Sequence, residues 1–436
     1  MKSGNTHLRI LPLFLLLLFF LSSLVLSVSA EIQEPMAENV DAVYVMNLEY
    51  GQAVYAKNET KRLYPASTAK LVTALVAENA FSGKLDQTVE ITREMKKAFR
   101  GRCLGFVEGE KVTVEALLYA MLVGGYNDAA IALAFATSGD LESFCQSMNA
   151  LALSLGATET HYTNPTGLHD ANMVTTARDT AYIARAVMQN ETLYAITKKQ
   201  KYVMPATNKS SEWTIYSRNS LISSILEEDY YYAYAAGIHA GSTDEGGDCV
   251  VTSGHLDGLS YICVVLGGRQ DSEKNHAFIA AANVLRYALK NFSIQTLKTK
   301  KAEIVELPVL YSATIGEVSI HPKEDITALL RNDFDPKKDI TFEASLAVEV
   351  LEAPFESGTV VGRLYARDKN GKLLAQTELI VTEDVDAHGF LLFMARVKHL
   401  VLSPVFLLVI LAIAALIWGS VYYDKRNRRR HRRLRR

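Results

Sequence analysis

The chain has 436 residues, 49% of them hydrophobic, so it is long enough for two or three domains with buried cores. The formal net charge is −2; it becomes −4 without the two basic residues before residue 31, and −12 without the nine basic residues and one acidic residue after residue 423. Because the central part is this acidic, we expect no binding to nucleic acid.

The N-terminal 30 residues have the pattern of a secretory signal peptide. Lys2 and Arg9 precede or border a long apolar block, and the small residues Val28-Ser29-Ala30 follow it. We therefore predict export and cleavage after Ala30. The alternative is a segment that is kept as a membrane anchor.

Residues 37–293 combine strand and helix patterns. Two β-rich stretches around Tyr50-Gly51 predict a hairpin, and two more flank Asp257-Gly258. Strands at both ends with helices between them favour one α+β domain whose sheet comes from distant parts of the chain. The periodicity of apolar residues predicts helices over 67–81, 113–123, 127–137, 140–155, 175–190 and 275–290.

The texture changes after residue 300. Alternating strands fill 300–385 and predict a small β domain, with Asn370-Gly371 placed as a type I′ hairpin turn. Residues 400–423 contain no charged side chain, which predicts a transmembrane helix. The basic tail, 424–436, is expected on the cytoplasmic side, so the domains before the helix are expected outside the cell membrane.

The cysteine and histidine patterns give no metal site. Four cysteines are scattered without zinc-ligand spacing, and either disulfides or buried free thiols fit them. His161 and His169-Asp170 lie in a loop at a spacing that is not typical of metal ligands. We expect no metal and no cofactor.

A serine and a lysine stand three residues apart where the first helical pattern begins. In "YPASTAKLVTAL", Ser67 and Lys70 share one helix face, so the amine can reach the hydroxyl. A desolvated lysine with a lowered pKa can serve as the base that activates a serine. By itself such a pair carries little weight, since about one is expected by chance in a chain of this size.

The surrounding stretches resemble a known family. "YPASTAKLVTALVA", "GGYNDAAIALA", "YTNPTGLHDAN" and "AAGIHAGSTDEGGDC" follow one another in the order found in serine D-alanyl-D-alanine carboxypeptidases of the low-molecular-weight penicillin-binding proteins. The resemblance spans about 37–293 and implies a β-lactamase/transpeptidase-like domain. The family also carries a small β domain and a membrane anchor behind it.

The first family motif, Ser-x-x-Lys, is intact. The resemblance implies that Ser67 forms an acyl-enzyme and that Lys70 moves the proton. The second motif, Ser-x-Asn, falls on Gly125-Tyr126-Asn127, so Asn127 would position Lys70 and the substrate amide while the serine hydroxyl is gone. The phenol of Tyr126 either replaces that hydroxyl or packs against the cleft wall.

The third motif, Lys-Thr-Gly, reads His239-Ala240-Gly241. The resemblance implies substrate binding by His239, as a cation or a hydrogen-bond donor, and by Gly241, which keeps the backbone free of a Cβ. Ala240 lacks the hydroxyl that binds the substrate carboxylate in the family. Lys274 stands near the family's position for a cation that binds the terminal carboxylate, with Arg269 as a second option, and either could be a solvated surface charge.

Two functional hypotheses follow. The first is a membrane-anchored serine carboxypeptidase that removes the terminal D-alanine of peptidoglycan stem peptides and binds β-lactams as substrate mimics. The second is a catalytically degenerate protein on the same fold that binds peptidoglycan or acts as a scaffold. The second is motivated by the two missing hydroxyls, at Gly125 and Ala240.

Overall fold

The computed structural model describes residues 32–225, 228–271 and 274–433, so the predicted signal peptide lies outside the described residues. The chain divides into two compact units. The first runs to Ser293 and includes Arg331–Asp333; the second holds Ile294–Leu330 and the chain from Phe334 onward.

The first unit is built on a five-stranded antiparallel sheet with the order β2-β1-β9-β8-β7. The predicted hairpins are present, as β1–β2 and β8–β9. Every residue of β1 is buried, which fits its continuous apolar run, whereas β7 is an edge strand. The strands are β1 (Ala42–Asn47), β2 (Ala53–Lys57), β7 (Ala235–Thr243), β8 (Gly247–Leu256) and β9 (Leu259–Gly268).

Helices and two small hairpins complete this unit. All six predicted helices are present; the two short helices α2 and α7 were not predicted, because six or seven residues give little periodicity. The helices are α1 (Ala69–Phe81), α2 (Arg93–Ala98), α3 (Val114–Leu122), α4 (Asn127–Ser138), α5 (Leu141–Ser154), α6 (Ala177–Gln189), α7 (Glu191–Thr197) and α8 (His276–Asn291). The hairpins pair β3 (Thr88–Glu90) with β4 (Lys111–Thr113) and β5 (Lys201–Met204) with β6 (Trp213–Tyr216).

Helix α1 is the central helix of the first unit. Eleven of its residues are buried, which fits a helix sequence that has apolar residues on all of its faces. It continues from a 3₁₀ turn, Ala66–Thr68, in which the Thr68 hydroxyl donates to the Pro65 carbonyl at 2.7 Å. The turn places Ser67 at the entry of a helix fixed in the core.

The second unit contains a six-stranded sheet with the order β14-β16-β17-β12-β11-β15, and β10 pairs separately with β13. Its core includes Ile320, Leu364, Leu379 and Val381. The elements are β10 (Phe292–Lys298), β11 (Val305–Leu310), β12 (Glu317–Pro322), β13 (Ile326–Arg331), α9 (Pro336–Asp339), β14 (Ile340–Leu346), β15 (Leu351–Glu352), β16 (Val360–Asp368) and β17 (Leu373–Val381).

The predicted hairpin at Asn370-Gly371 is present, but its turn type was wrong. A type I′ turn needs a positive φ at both central residues. Here only Gly371 has one, 80°, and its N–H donates to the Asp368 carbonyl at 2.9 Å. The Asp368 side chain also accepts from the N–H of Asn370, at 2.8 Å. This local acceptor favours the longer turn with one left-handed glycine.

Two helices end the described chain, α10 (Gly389–Leu402) and α11 (Pro404–Arg433). The stretch Pro404–Asn427, 24 residues, is long and apolar enough to cross a membrane. It begins four residues later than the predicted span, because Ser403 is extended (ψ 140°) before a proline that lacks an N–H. Leu400 therefore belongs to the preceding helix.

The cysteines are free thiols. Cys145, Cys249 and Cys263 are buried and Cys103 is partly buried. Of the two alternatives left open by the sequence, the structure has the free thiols and no disulfide among these four residues.

Candidate active site

Ser67 and Lys70 lie in contact at the start of α1. Lys70 Nζ donates to Ser67 Oγ at 3.2 Å and to the Thr166 carbonyl at 2.6 Å. The spacing of three residues across the 3₁₀ turn into the helix aligns the two side chains. The serine is partly exposed, whereas the lysine is fully buried. The pair is thus an accessible hydroxyl backed by a buried amine.

The surroundings of Lys70 favour its neutral form. Burial, and to a smaller extent the positive charge of Arg102, lower its pKa from the ordinary 10.5 to about 7, against an opposing effect of Cys103. A neutral amine has a lone pair that can accept the serine proton. Near pH 7 a substantial fraction of the protein therefore holds Lys70 ready to act as a base.

The loop at 164–168 supports Lys70 from the other side. Asn164 Oδ1 accepts from the N–H groups of Thr166 and Gly167, at 3.1 and 2.9 Å, and its Nδ2 donates to the Leu168 carbonyl at 3.0 Å. A Cβ on Gly167 would lie 1.7 Å from the Ala66 oxygen, so only glycine permits this approach. The loop directs the Thr166 carbonyl at the lysine.

Asn127 begins α4 and is held by the preceding loop. Its N–H donates to the Arg102 carbonyl at 2.7 Å, and its Nδ2 donates to the Arg100 carbonyl at 3.0 Å. The neighbouring Asp128 is buried and accepts from the N–H groups of Leu104 and Gly105, at 3.0 and 2.8 Å. These bonds fix the loop that carries Arg102 against the start of α4.

Tyr126 packs against the cleft wall. A Cβ on Gly124 would lie 2.4 Å from its ring, and Arg102 lies over the ring at 4.9 Å from the centroid. The two hydrogen bonds of Lys70 Nζ go to Ser67 and Thr166 and not to this phenol. Of the two interpretations of Tyr126, the geometry favours packing.

Strand β7 passes directly beside Ser67. A Cβ on Gly241 would lie 2.5 Å from the Ser67 Cβ and 2.6 Å from its Oγ, so glycine is required there. Ala240 is buried and contributes to the wall of the cleft. The edge strand thus supplies one side of the cavity in which a substrate backbone would lie.

A cleft of about 240 Å³ opens in front of Ser67. An adjoining hollow of about 310 Å³ shares Arg218, Ala240 and Gly241 with it. The lining of the cleft in the described part of the chain consists of Ser67, Arg102, Gly125, Asn127, Thr166, Gly167, Leu168, Arg218, Ala240, Gly241, Ser242 and Thr243. This lining holds two arginines and no acidic side chain, so it suits an anionic ligand.

Comparison with known proteins agrees with this geometry. The family model for D-alanyl-D-alanine carboxypeptidase matches residues 29–270, more than half of the chain. The chain belongs to the D-alanyl-D-alanine carboxypeptidase family. The model for the C-terminal domain of penicillin-binding protein 5 matches residues 292–387. The resemblance stated from the sequence and the predicted fold class, an α+β transpeptidase-like domain followed by a β domain, are confirmed.

Individual relatives cover most of the chain. D-alanyl-D-alanine carboxypeptidase DacF of Bacillus subtilis is 26% identical over 83% of this chain and 90% of its own length. DacC of Escherichia coli is 29% identical over 81% and 86%. Penicillin-binding protein 5 from Haemophilus influenzae has the same fold, with a TM-score of 0.62, 24% identity and coverage of 81% of this chain and 99% of that one.

His239, which was expected to bind substrate, is buried and is not among the described residues that line the cleft. It is 1% exposed, and its Nδ1 lies 2.8 Å from the Leu122 carbonyl, to which it donates. Burial above all, together with the nearby Lys70 and Arg218, lowers its pKa to about 3, while the Leu122 bond opposes them. Of the two expected forms, a cation or a hydrogen-bond donor, burial disfavours the cation, and the Nδ1–H of the neutral ring is used by the Leu122 carbonyl. Its Nε2 is buried and has no hydrogen-bond partner among the described residues.

The predicted carboxylate-binding residues outside the motifs lie apart from the cleft. Lys274 is exposed, its N–H donates to Asp271 Oδ1 at 2.8 Å, and the described cleft lining does not include it. Arg269 lines a different groove, of about 830 Å³. Sequence reasoning missed Arg102, Arg218 and the Thr166 carbonyl, although Thr166 lies in the family-like stretch "NPTGLHD".

Proposed function

We propose that this protein is a serine D-alanyl-D-alanine carboxypeptidase that trims the terminal D-alanine of peptidoglycan stem peptides. The observation that carries the proposal is the contact between a partly exposed serine hydroxyl and a buried amine, 3.2 Å apart, with the pKa of that amine lowered to about 7. Membership of the family supplies the substrate class. The relatives named above bear the same activity in their names.

The reaction uses this chain's residues as follows. Lys70 takes the proton of Ser67 while Oγ forms a bond to the carbonyl carbon of the penultimate D-alanine. The bond to the terminal D-alanine nitrogen then breaks, and the proton held by Lys70 passes to that nitrogen. A water molecule hydrolyses the resulting ester with Lys70 again as the base. The Thr166 carbonyl holds the amine in place, and Asn127 lines the cleft beside it.

A second candidate function is kept because two hydroxyls of the family pattern are absent. Gly125 has no side chain, and Ala240 has only a methyl group in the cleft wall. Losing one precise polar contact in such a site costs about 10²- to 10³-fold in rate. A protein on this fold that binds peptidoglycan without turnover would fit both changes.

We also propose that the chain crosses the cell membrane once at α11, with the chain before Pro404 outside and the basic tail inside. The helix is long and apolar enough to span. The tail after Tyr423 carries nine basic residues, which stay on the cytoplasmic side during insertion. This placement gives the cleft access to peptidoglycan and to β-lactams.

Intact-mass spectrometry with benzylpenicillin tests the enzymatic proposal. The full chain in detergent should gain one drug mass, and Ser67→Ala should gain none. The acylation rate should rise with pH and reach half its maximum near pH 7, because Lys70 is a base only after its ammonium loses a proton. D-alanine release from a peptide completes the test. If neither an adduct nor released D-alanine is found, the enzymatic proposal is wrong and the binding function remains.

A further inference from the structure

The cleft has to bind a carboxylate without the usual hydroxyl. A peptide that ends in D-alanine presents a terminal carboxylate one residue beyond the reacting carbonyl. Ala240 offers no hydrogen bond to it. A carboxylate that leaves water needs charge-assisted donors, and guanidinium groups are the strongest of these in proteins. The two arginines in the lining are therefore the first candidates.

Arg102 is held in a defined position at the cleft. Its Nε donates to the Gly124 carbonyl at 3.0 Å, and its guanidinium stacks over the Tyr126 ring. Its own carbonyl accepts from the Asn127 N–H at 2.7 Å. Within the described residues, no acceptor bonds its two terminal nitrogens, which are the pair that grips a carboxylate in a bidentate contact.

The altered second motif explains the position of Arg102. Gly124 has no Cβ, and one placed there would lie 2.4 and 2.5 Å from atoms of the Tyr126 ring. The glycine therefore leaves room for the Tyr126 ring beside the backbone, and the Arg102 guanidinium lies over that ring. Gly125 follows at φ 73°, a left-handed conformation that a side chain disfavours. The Gly124-Gly125-Tyr126 sequence thus positions the Arg102 side chain.

The altered third motif removes the competing cation. The side chain of His239 lies on the same face of β7 as Gly241, two residues on, and so faces Ser67's side of the strand. Its Nδ1 is committed to Leu122, and its Nε2 is buried. A neutral, enclosed imidazole cannot bind an anion, so the positive charge at this end of the cleft has to come from another residue.

We propose that Arg102 has taken over the binding of the substrate's terminal carboxylate, from a loop before α4 rather than from strand β7. Gly124 and Tyr126 position Arg102 for this contact. The inference rests on the proposed substrate class, a peptide ending in D-alanyl-D-alanine, but not on turnover. It assigns a role to a residue outside all three motifs.

Binding to an inactive variant tests the proposal. The full chain with Ser67→Ala, in detergent, is titrated by calorimetry with an acylated lysyl-D-alanyl-D-alanine peptide and with the same peptide as its C-terminal amide. Adding Arg102→Gln should raise the Kd of the carboxylate peptide about 10- to 100-fold, the usual worth of a hydrogen bond to a charged group. The Kd of the amide should change little.

Three further variants complete the design. Arg102→Lys should raise the Kd of the carboxylate peptide less than Arg102→Gln does, because lysine keeps the positive charge but lacks the paired N–H donors of the guanidinium. In the same loop, the Arg100 side chain donates to the carbonyls of Lys97 and Phe99. Arg100→Gln should therefore leave both Kd values unchanged. Arg218→Gln should raise the Kd of the carboxylate peptide less than Arg102→Gln does, and a larger rise would overturn the inference. Equal unfolding temperatures establish that the variants are folded.

The outcomes separate this inference from the proposed activity. An Arg102→Gln variant that binds the carboxylate peptide like its parent overturns the inference, as does a parent that binds the acid and the amide equally. D-alanine release by the chain with Ser67 intact decides the enzymatic proposal. If the carboxylate preference depends on Arg102 while no D-alanine is released, the inference stands and the protein is a binding protein.

Discussion

A single residue that differs from the family pattern can change the chemistry of the site, as His239 shows. The family pattern places a lysine there, so a histidine in the sequence suggests a smaller cation. The structure encloses the imidazole between β7 and the end of α3, with Leu122 as its acceptor. Positive neighbours and burial both oppose a second charge at this point. The side chain therefore acts as a neutral, buried group.

The neutrality of His239 predicts a pH dependence of stability. With a folded-state pKa near 3 and an unfolded value near 6.5, the unfolded chain binds more protons between these pH values. The contribution is complete above pH 6.5 and is lost as the pH falls, at up to about 1.4 kcal/mol per pH unit. His239→Gln should flatten the fall in the free energy of unfolding between pH 6.5 and 5.

Denaturant titrations monitored by fluorescence at several pH values measure this slope for the first unit. His161→Gln, which removes an exposed imidazole, controls for the loss of a histidine. If the His239→Gln protein and the parent lose stability in parallel between pH 6.5 and 5, the imidazole titrates in the folded protein and the interpretation of a neutral group is wrong.

At the scale of elements, the site depends on how closely strand β7 approaches the start of α1. The missing Cβ of Gly241 leaves room for Ser67 with no space to spare, since a methyl group there would lie 2.5–2.6 Å from the serine. Gly241→Ala should push the strand or the serine away. Displacements of about 1 Å commonly cost 10²-fold in rate, so acylation by benzylpenicillin should fall about 100-fold or more.

The experiment compares acylation rates at saturating drug. Gly316→Ala is the matched control, because an added Cβ there meets nothing within 4 Å and its backbone conformation is not left-handed. It should acylate like the parent. A Gly241→Ala protein that keeps the parental rate would show that the strand can move without cost, and that the close approach has no part in the chemistry.

Most elements of the fold could be predicted from the sequence, and the exceptions have physical causes. Long apolar periodicities located all six major helices of the first unit, and the paired β-rich stretches located its hairpins. Short helices such as Arg93–Ala98 have too few turns for a period to emerge. The turn type predicted at Asn370-Gly371 was wrong because the Asp368 side chain, two residues before Asn370, accepts a hydrogen bond from the turn.

The site was less predictable than the fold. Ser67, Lys70 and Asn127 stand in motifs whose spacing reveals them. Arg102 contacts the site only because Asn127 and Asp128 bind the loop that carries it, and no spacing in the sequence records that contact. The burial of His239 likewise depends on the end of α3, more than a hundred residues away.

At the scale of the whole molecule, charge and apolarity are separated along the chain. The formal charge of residues 31–403 is −12, whereas the 13 residues after Tyr423 carry nine basic side chains. Between them lie the 20 uncharged residues Pro404–Tyr423, about 30 Å of helix at 1.5 Å per residue, which matches the bilayer core of about 30 Å. Such a distribution favours one orientation in the membrane.

This orientation is testable by labelling introduced cysteines in intact cells. Gly316 lies in an exposed loop of the second unit, and Asn427 lies in the basic tail that follows Tyr423. We expect a membrane-impermeant maleimide to label Cys at 316 in intact cells, and at 427 only after permeabilisation, because basic residues stay inside. The parent chain, with its four native thiols, gives the background. Labelling at both positions in intact cells, or the reverse order, would contradict the proposed topology.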